Sequence, residues 1–336
     1  MKFYKLLFLP SLMIGSIITI SSLSWMSMWM GLEINLLSII PLMNSNKNLF
    51  SAEASLKYFI TQALASTILL FSIILLSNNI FLINQIMSNI VLIFNSALLT
   101  KMGAAPFHFW FPEIMEGLSW MNCIIILTWQ KIAPMVILMY NINFSSFFFF
   151  IIIFSMLVSG IIGFNQISIR KIIAYSSINH MGWMISSMFV LETIWMYYFL
   201  IYTLISLNII LIFWSLNIFY LKQLFISMNN NLTLKFFFML NFLSLGGLPP
   251  FIGFFPKWLT VENLITNNFF ILTFSMVILT LLTLFYYIRL MFSTLVMNMT
   301  EINYLIFNKF NQFWMLTSNF VSIISFLTCT VFFNFS

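Results

Sequence analysis

Four ionisable side chains stand inside long apolar stretches of this sequence: Glu33, Lys101, Lys131 and Lys257. At the middle of a bilayer each costs roughly 2.5 to 3.5 kcal/mol, and the four together on the order of 10 kcal/mol. A cost of that size calls for pairing, hydration or a function that needs the charge. Each lysine also has a proline nearby: Pro106 after Lys101, Pro134 after Lys131 and Pro256 directly before Lys257. Proline removes a backbone donor and frees a carbonyl one turn back, and a freed carbonyl in an apolar phase must find a protein donor or water. Pro106 would free the carbonyl of Met102, and Pro134 that of Gln130. A lysine beside such a break can sit in a hydrated pocket, where its proton can be moved by a neighbouring carboxylate. That is the chemistry of a proton relay. Two plainer readings stand beside it: proline kinks helices for packing alone, and lysine snorkels to an interface. Snorkelling suits Lys257, near a helix end, as well as a relay does. Glu33 and Lys131 have about eight to eleven residues of span on either side and are poorly placed for it.

His180 lies near Ser176, Ser177 and Asn179 in the middle of an apolar segment. It fits a proton link between lysine sites and a hydrogen-bonded core histidine equally well. His108 reads as a structural donor. Lys57, at the start of an apolar segment, reads as an interface anchor or as a proton-uptake site. Glu113 and Glu116 flank a turn, and Glu192, Glu262 and Glu301 lie near segment ends, so these five read as solvated loop residues.

Other chemistries lack their residues. Two histidines cannot ligate two haems, and Cys123 and Cys329 form no CxxC, so no redox centre, metal site or cofactor is expected in this chain. Neither GxGxxG nor GxxxxGK[ST] occurs. The net charge of +6 comes from 13 Lys and Arg scattered singly or in pairs, which argues against nucleic acid as a partner.

The elements that must hold these residues follow from composition. Of 336 residues 62% are hydrophobic and only 6% charged, with a mean hydropathy of +1.06. A soluble domain needs about a quarter of its residues charged, so lipid must cover this one. Apolar windows of about 20 residues fall at 3–22, 25–43, 55–77, 81–111, 120–140, 145–165, 171–190, 194–218, 235–258, 268–290 and 311–332. The fold class expected is all-α: a polytopic transmembrane helical bundle of about eleven spans in a single membrane domain, 1–336. The first window resembles a signal peptide, but no small-x-small cleavage site follows it, and it reads as a retained span. Heavy use of Phe (42) and Met (24), and the absence of Asp, suit a very AT-rich genome such as an organelle's.

With eleven spans, Lys2, Lys5, Lys47, Lys57, Arg170, Lys171, Lys222, Lys235, Arg289 and Lys309 all fall on the side of the N-terminus and none on the other. By the positive-inside rule that side is cytoplasm-like.

The sequence also repeats itself. Gly103-x-x-Pro106-Phe107-x-x-x-Phe111-Pro112 returns as Gly247-x-x-Pro250-Phe251-x-x-x-Phe255-Pro256. Both copies interrupt long spans, the fourth and the ninth, which run in opposite directions. Chance similarity between Gly/Pro-rich breaks is one reading. An inverted repeat with a broken helix in each half, about 1–140 and 145–292 with 311–332 as a terminal helix, is the other. The coincidence of match and interruption favours the repeat.

Segments 29–43, 53–67, 101–122, 128–135, 170–184 and 241–258 resemble the antiporter-like membrane subunits of respiratory complex I, in the form found in animal mitochondria. The resemblance covers nearly the whole chain. It implies two inverted helix bundles, each with a broken helix, in a form shorter at its N-terminal end than the bacterial relatives. It also implies roles. Glu33 takes the place of the family's buried glutamate and Lys101 of its partner lysine on the first broken helix. Lys131 takes that of the central lysine, Lys257 that of the terminal lysine on the second broken helix, and His180 that of a polar link between the halves.

The function implied is a proton-translocation channel coupled to NADH:ubiquinone oxidoreduction in other subunits. Uptake would be near Lys57 and Lys101, storage on Lys131 and exit near Lys257. The implied setting is the mitochondrial inner membrane with the N-terminus in the matrix. The expected partners are other complex I membrane subunits and lipids, with no soluble substrate bound directly. The rival readings are a stand-alone cation/proton antiporter and a structural spacer. Against the antiporter, Glu33 is the only mid-span acid, so no carboxylate-rich sodium site is evident.

Overall fold

The structure, a computed structural model, describes residues 3–44, 48–77, 84–142, 145–189, 191–228, 232–249, 251–296, 317 and 320. Lys2, Lys47, Pro250, Glu301, Lys309, Cys329 and most of the expected terminal helix 311–332 lie outside the described residues. All named elements are α-helices, and the β-pairing found is the isolated bridge Ser168–Tyr220. In lipid the backbone must satisfy itself, which favours helix wherever the sequence is apolar for long enough. Hydroxyl residues within these helices mostly satisfy themselves too: Ser72 Oγ donates to the Leu69 carbonyl at 2.7 Å and Ser155 Oγ to Ile152 at 2.8 Å.

Seven helices among the described residues are long and apolar enough to cross a membrane, and Met87–Met102 and Lys235–Gly246 are shorter apolar helices. Their outer faces carry exposed large hydrophobics such as Phe59, Ile60, Leu64 and Phe71, or Ile271, Phe274, Leu281 and Phe285. The chain is an integral membrane protein by this pattern.

The chain divides into two compact units, Met1–Phe148 and Phe149–Ser336. The first holds α1 (Phe3–Ser21), α2 (Trp25–Met43), α3 (Leu49–Ser77), α4 (Asn84–Met102), α5 (Trp110–Gly117), α6 (Trp120–Leu127) and α7 (Trp129–Met139). Helices α1 and α2 lie close together because Gly15 and Gly31 face one another. A β-carbon on Gly31 would stand 2.6 Å from Thr19 Cγ2 and 2.9 Å from the Gly15 carbonyl oxygen. Helix α3 turns Ser51, Ser55, Tyr58, Gln62, Ser66 and Ser72 inwards, a polar stripe along one buried face.

The fourth span is interrupted, and two other features of this unit differ from the sequence expectation. Helix α4 ends at Met102, residues 103–109 are irregular, and α5 follows. The fifth span is divided at Thr128 (φ −111°, ψ −71°), six residues before Pro134. Glu113 and Glu116, expected in a solvated turn, sit on α5, where Glu113 occupies the first turn. An acid there complements the positive end of the helix dipole.

The second unit takes in most of α8 (Ser145–Phe164), then α9 (Ile169–Met188), α10 (Glu192–Leu216), α11 (Leu221–Met228), α12 (Leu232–Gly246), α13 (Phe254–Thr266) and α14 (Phe270–Val296). Helix α9 is its axis and is buried on all sides. It packs against α10, α13 and α14. Its Ser, Asn and His residues make it too polar to face lipid, and neighbouring helices cover it instead. Asn217 ends α10 in the left-handed conformation (φ 49°), its N–H reaching back to the Phe213 and Trp214 carbonyls. Helix α11 falls where the sequence suggested only a loop.

Candidate functional site: two buried lysine clusters

In the first unit, α2, α3, α4 and α7 converge on a polar cluster. Gln130 Nε2 on α7 donates to Asn35 Oδ1 on α2 at 2.8 Å, and Tyr58 OH on α3 donates to Gln130 Oε1 at 3.3 Å. Gln62 Nε2, one turn along α3 from Tyr58, donates to the main-chain carbonyl of Lys101 at 3.2 Å. These residues and Lys101 line a cavity of about 20 Å³, together with Leu32, Leu36 and Pro134. That is room for about one water, in a site polar enough to hold it.

The break after α4 explains part of this arrangement. Gly103 (φ +76°) turns the chain out of the helix, leaving late carbonyls of α4 without helical partners. Side-chain donors reach two of these late carbonyls: Gln62 takes that of Lys101, and Trp110 Nε1 at 3.0 Å joins the Gly103 N–H at 3.2 Å on that of Thr100.

Glu33 sits on α2 two residues before Asn35. Ser66 Oγ donates to its Oε1 at 3.1 Å, sharing its proton with the Ala63 carbonyl, and Trp29 Nε1 binds the Ser66 carbonyl at 3.1 Å. The second carboxylate oxygen, Oε2, is buried without a hydrogen-bond partner. Glu33 and Lys101 form no hydrogen-bonded ion pair. Lys131 is wholly enclosed, and its ammonium lies 5.5 Å from the centre of the Phe111 ring. Lys57 is different: it is exposed and holds Glu53 and Glu113, each at 2.9 Å. Glu113 is thus one half of a surface pair. Such pairs contribute little to stability, but the cluster gathers charge at one end of α3.

In the second unit the lysine is Lys257, on the first turn of α13. It does not snorkel. Its Nζ turns back into the break and donates to the carbonyls of Gly246 at 2.8 Å and Leu245 at 3.4 Å, the last residues of α12. The face of Trp183 lies 5.8 Å from Nζ. One turn along α9 from Trp183, His180 is buried, with Nδ1 2.9 Å from Tyr198 OH and its ring 5.1 Å from that of Tyr202. Asn179 Nδ2 donates to Thr283 Oγ1 at 3.2 Å. His108 Nδ1 lies 3.2 Å from the Pro106 carbonyl, within the first break.

Of the residues singled out from sequence, Glu33 and Lys101 share the first cluster. Lys131 is joined to it through its neighbour Gln130, and Lys57 stands apart at the surface. His180 and Lys257 share the second cluster, either side of Trp183. Asn35, Tyr58, Gln62 and Gln130 escaped the sequence reading. Among the described residues no three His, Cys, Asp or Glu side chains gather as metal ligands.

A family profile described as NADH:quinone oxidoreductase/Mrp antiporter, TM, matches residues 22–283, well over half the chain. The chain belongs to the NADH:quinone oxidoreductase/Mrp antiporter family. Both polar clusters lie within the matched residues. NADH-ubiquinone oxidoreductase chain 2 of Anopheles gambiae is 53% identical over 312 residues, covering 91% of this chain and 90% of that protein. A chain of respiratory complex I from Thermus thermophilus superposes with a TM-score of 0.84 at 20% identity, over 97% of this chain and 78% of its own. A chain of the Mrp complex from Dietzia sp. gives 0.73 at 15% identity, over 84% of this chain and 59% of its own. At those identities the two solved structures establish shared fold alone. The family fold therefore extends over the broken helices that carry the two lysine clusters.

Proposed function

We propose that this chain is a core membrane subunit of respiratory complex I and contributes a proton-translocation channel, while NADH oxidation and ubiquinone reduction occur in other subunits. The observation that carries this reading is the 53% identity to an insect NADH-ubiquinone oxidoreductase chain over nine tenths of both proteins. The chemistry supports it. Lysines buried beside broken helices, with carbonyls and amides around them, are suited to holding and passing protons.

In this reading Lys57 and Lys101 serve uptake, Lys131 stores the proton and Lys257 serves exit. Glu33 sets the charge state of Lys101, and His180 extends the polar path in the second unit. The finer architecture belongs to the same proposal: about eleven spans, arranged as inverted repeats over about 1–140 and 145–292. The chain lies in the mitochondrial inner membrane with its N-terminus in the matrix, beside other membrane subunits of the complex and lipid. It holds no redox centre.

Extraction of the membrane in mild detergent, followed by pull-down on a tag fused to this chain, tests the assignment. NADH:ubiquinone reductase activity should co-elute in constant ratio to the chain. A chain that elutes alone and exchanges cations for protons in vesicles would instead be a stand-alone antiporter.

A further inference from the structure

The two breaks share a backbone device and differ in what surrounds it. Each opens on a glycine in the left-handed region, Gly103 at φ +76° and Gly247 at φ +74°. A β-carbon on Gly103 would meet the side chains of two aromatic residues, Phe111 Cβ at 3.1 Å and Trp110 Cζ2 at 3.2 Å. The three atoms nearest a β-carbon on Gly247 would all belong to Lys257, with Cδ at 2.6 Å, Nζ at 2.8 Å and Cε at 2.9 Å. All three are closer than real β-carbons approach. The lysine therefore lies across the space where residue 247 lacks a side chain.

That placement has an electrostatic consequence. The last carbonyls of a helix lack intrahelical donors and carry the negative end of its dipole. In the first unit a neutral amide, Gln62, takes the corresponding carbonyl of α4. In the second unit an ammonium does so, bound to Leu245 and Gly246 at the end of α12 with the Trp183 face beside it. Lys257 reaches these partners from α13 only by folding back over residue 247.

We infer that Gly247 is a positioning residue for Lys257, its missing side chain forming the seat across which the lysine reaches the end of α12. This rests on the reading of Lys257 as a proton-carrying group. The seat requires space as well as backbone freedom, so a residue that accepts positive φ still fails there.

Asparagine separates the two requirements, because it tolerates the left-handed conformation but brings a β-carbon. The test uses assembled complex from a genetically tractable relative with the same glycine and lysine. It compares Gly247→Asn, Lys257→Ala and the double variant, with pumping normalised to NADH oxidation by an artificial acceptor to count assembled complexes. Gly247→Asn should lower coupled pumping about 10- to 100-fold, as expected for a reactive group displaced by about 1 Å. The double should be no worse than Lys257→Ala alone, since the collision is then gone. If Gly247→Asn fails to assemble, Lys257→Ala should restore assembly. Normal pumping in Gly247→Asn, losses that multiply in the double, or a double that still fails to assemble would each overturn the inference. Normal pumping in Lys257→Ala would remove Lys257 from the relay, a separate failure that takes this inference with it.

Discussion

Gln130 Nε2 donates to Asn35 Oδ1 at 2.8 Å while Gln130 Oε1 accepts from Tyr58 OH at 3.3 Å, so one side-chain amide ties together the helices carrying Lys131, Glu33 and Lys57. The amide sits next to Lys131 in sequence and lines the cavity that Lys101 enters. An amide donates and accepts but does not ionise, so it can orient a water in that cavity without storing a proton itself.

Gln130→Leu should leave the buried Asn35 oxygen without its donor, at a cost of about 1 to 3 kcal/mol. Tyr58→Phe removes only the longer of the two bonds and should cost less. Protons pumped per NADH, with thermal stability of the assembled complex measured alongside, should fall severalfold in the first variant and little in the second. Equal effects would mean that the 2.8 Å bond is not the one that matters.

Gln62→Leu should loosen the first break, because the Lys101 carbonyl loses its donor. Amide hydrogen exchange over residues 99–110 should quicken relative to wild type, and Trp110→Phe, which removes one of the two donors to the Thr100 carbonyl, should act in the same direction. Unchanged exchange in both variants would show that the break holds itself without these side chains.

Glu33 and Lys101 share no direct hydrogen bond, but Lys101 is buried and Glu33 half-buried, and charges out of bulk water are weakly screened. Removing the acid by Glu33→Gln and the base by Lys101→Met should therefore damage the same switch. The double variant should pump little worse than either single, while Glu33→Asp keeps part of the activity. Defects that multiply would mean that the two groups act independently.

Arg170, Lys171 and Lys222 should all be reachable from the matrix side alone, as expected if loop cations stay on the side that does not translocate. Single cysteines placed beside them and treated with an impermeant thiol reagent give the readout. Labelling of any one from the intermembrane side would contradict the orientation and the span count together.

The sequence was most legible where one physical rule dominated. Bilayer thickness made α1, α2, α3, α8, α10 and α14 readable as apolar windows, and the paired Gly/Pro motifs marked both breaks because Gly frees φ and Pro removes a backbone donor. Pro134 pointed to a disturbed fifth span but not to Thr128, where the helix divides, since the residue there carries no breaking signal of its own. Lys257 was ambiguous because its partners are backbone carbonyls, which no sequence displays. Lys57 and Glu113 are 56 residues apart and meet only through the tertiary packing of α3 and α5. Gln130, Asn35 and Tyr58 were passed over because an uncharged polar residue costs far less in a span than a charge does. The stripe Ser55, Tyr58, Gln62, Ser66 at helical spacing was nonetheless present in the sequence, and would have identified the inward face of α3.

In the proposed channel Lys131 is the group that stores the proton. Lys131 is fully enclosed, and methionine keeps its bulk while removing its charge, so Lys131→Met should spare packing. The direct measurement is the number of protons pumped per NADH oxidised by assembled complex carrying Lys131→Met in sealed vesicles, with assembly verified. That ratio and coupled turnover should both fall clearly, and an unchanged ratio in fully assembled complex would remove Lys131 from the proton path.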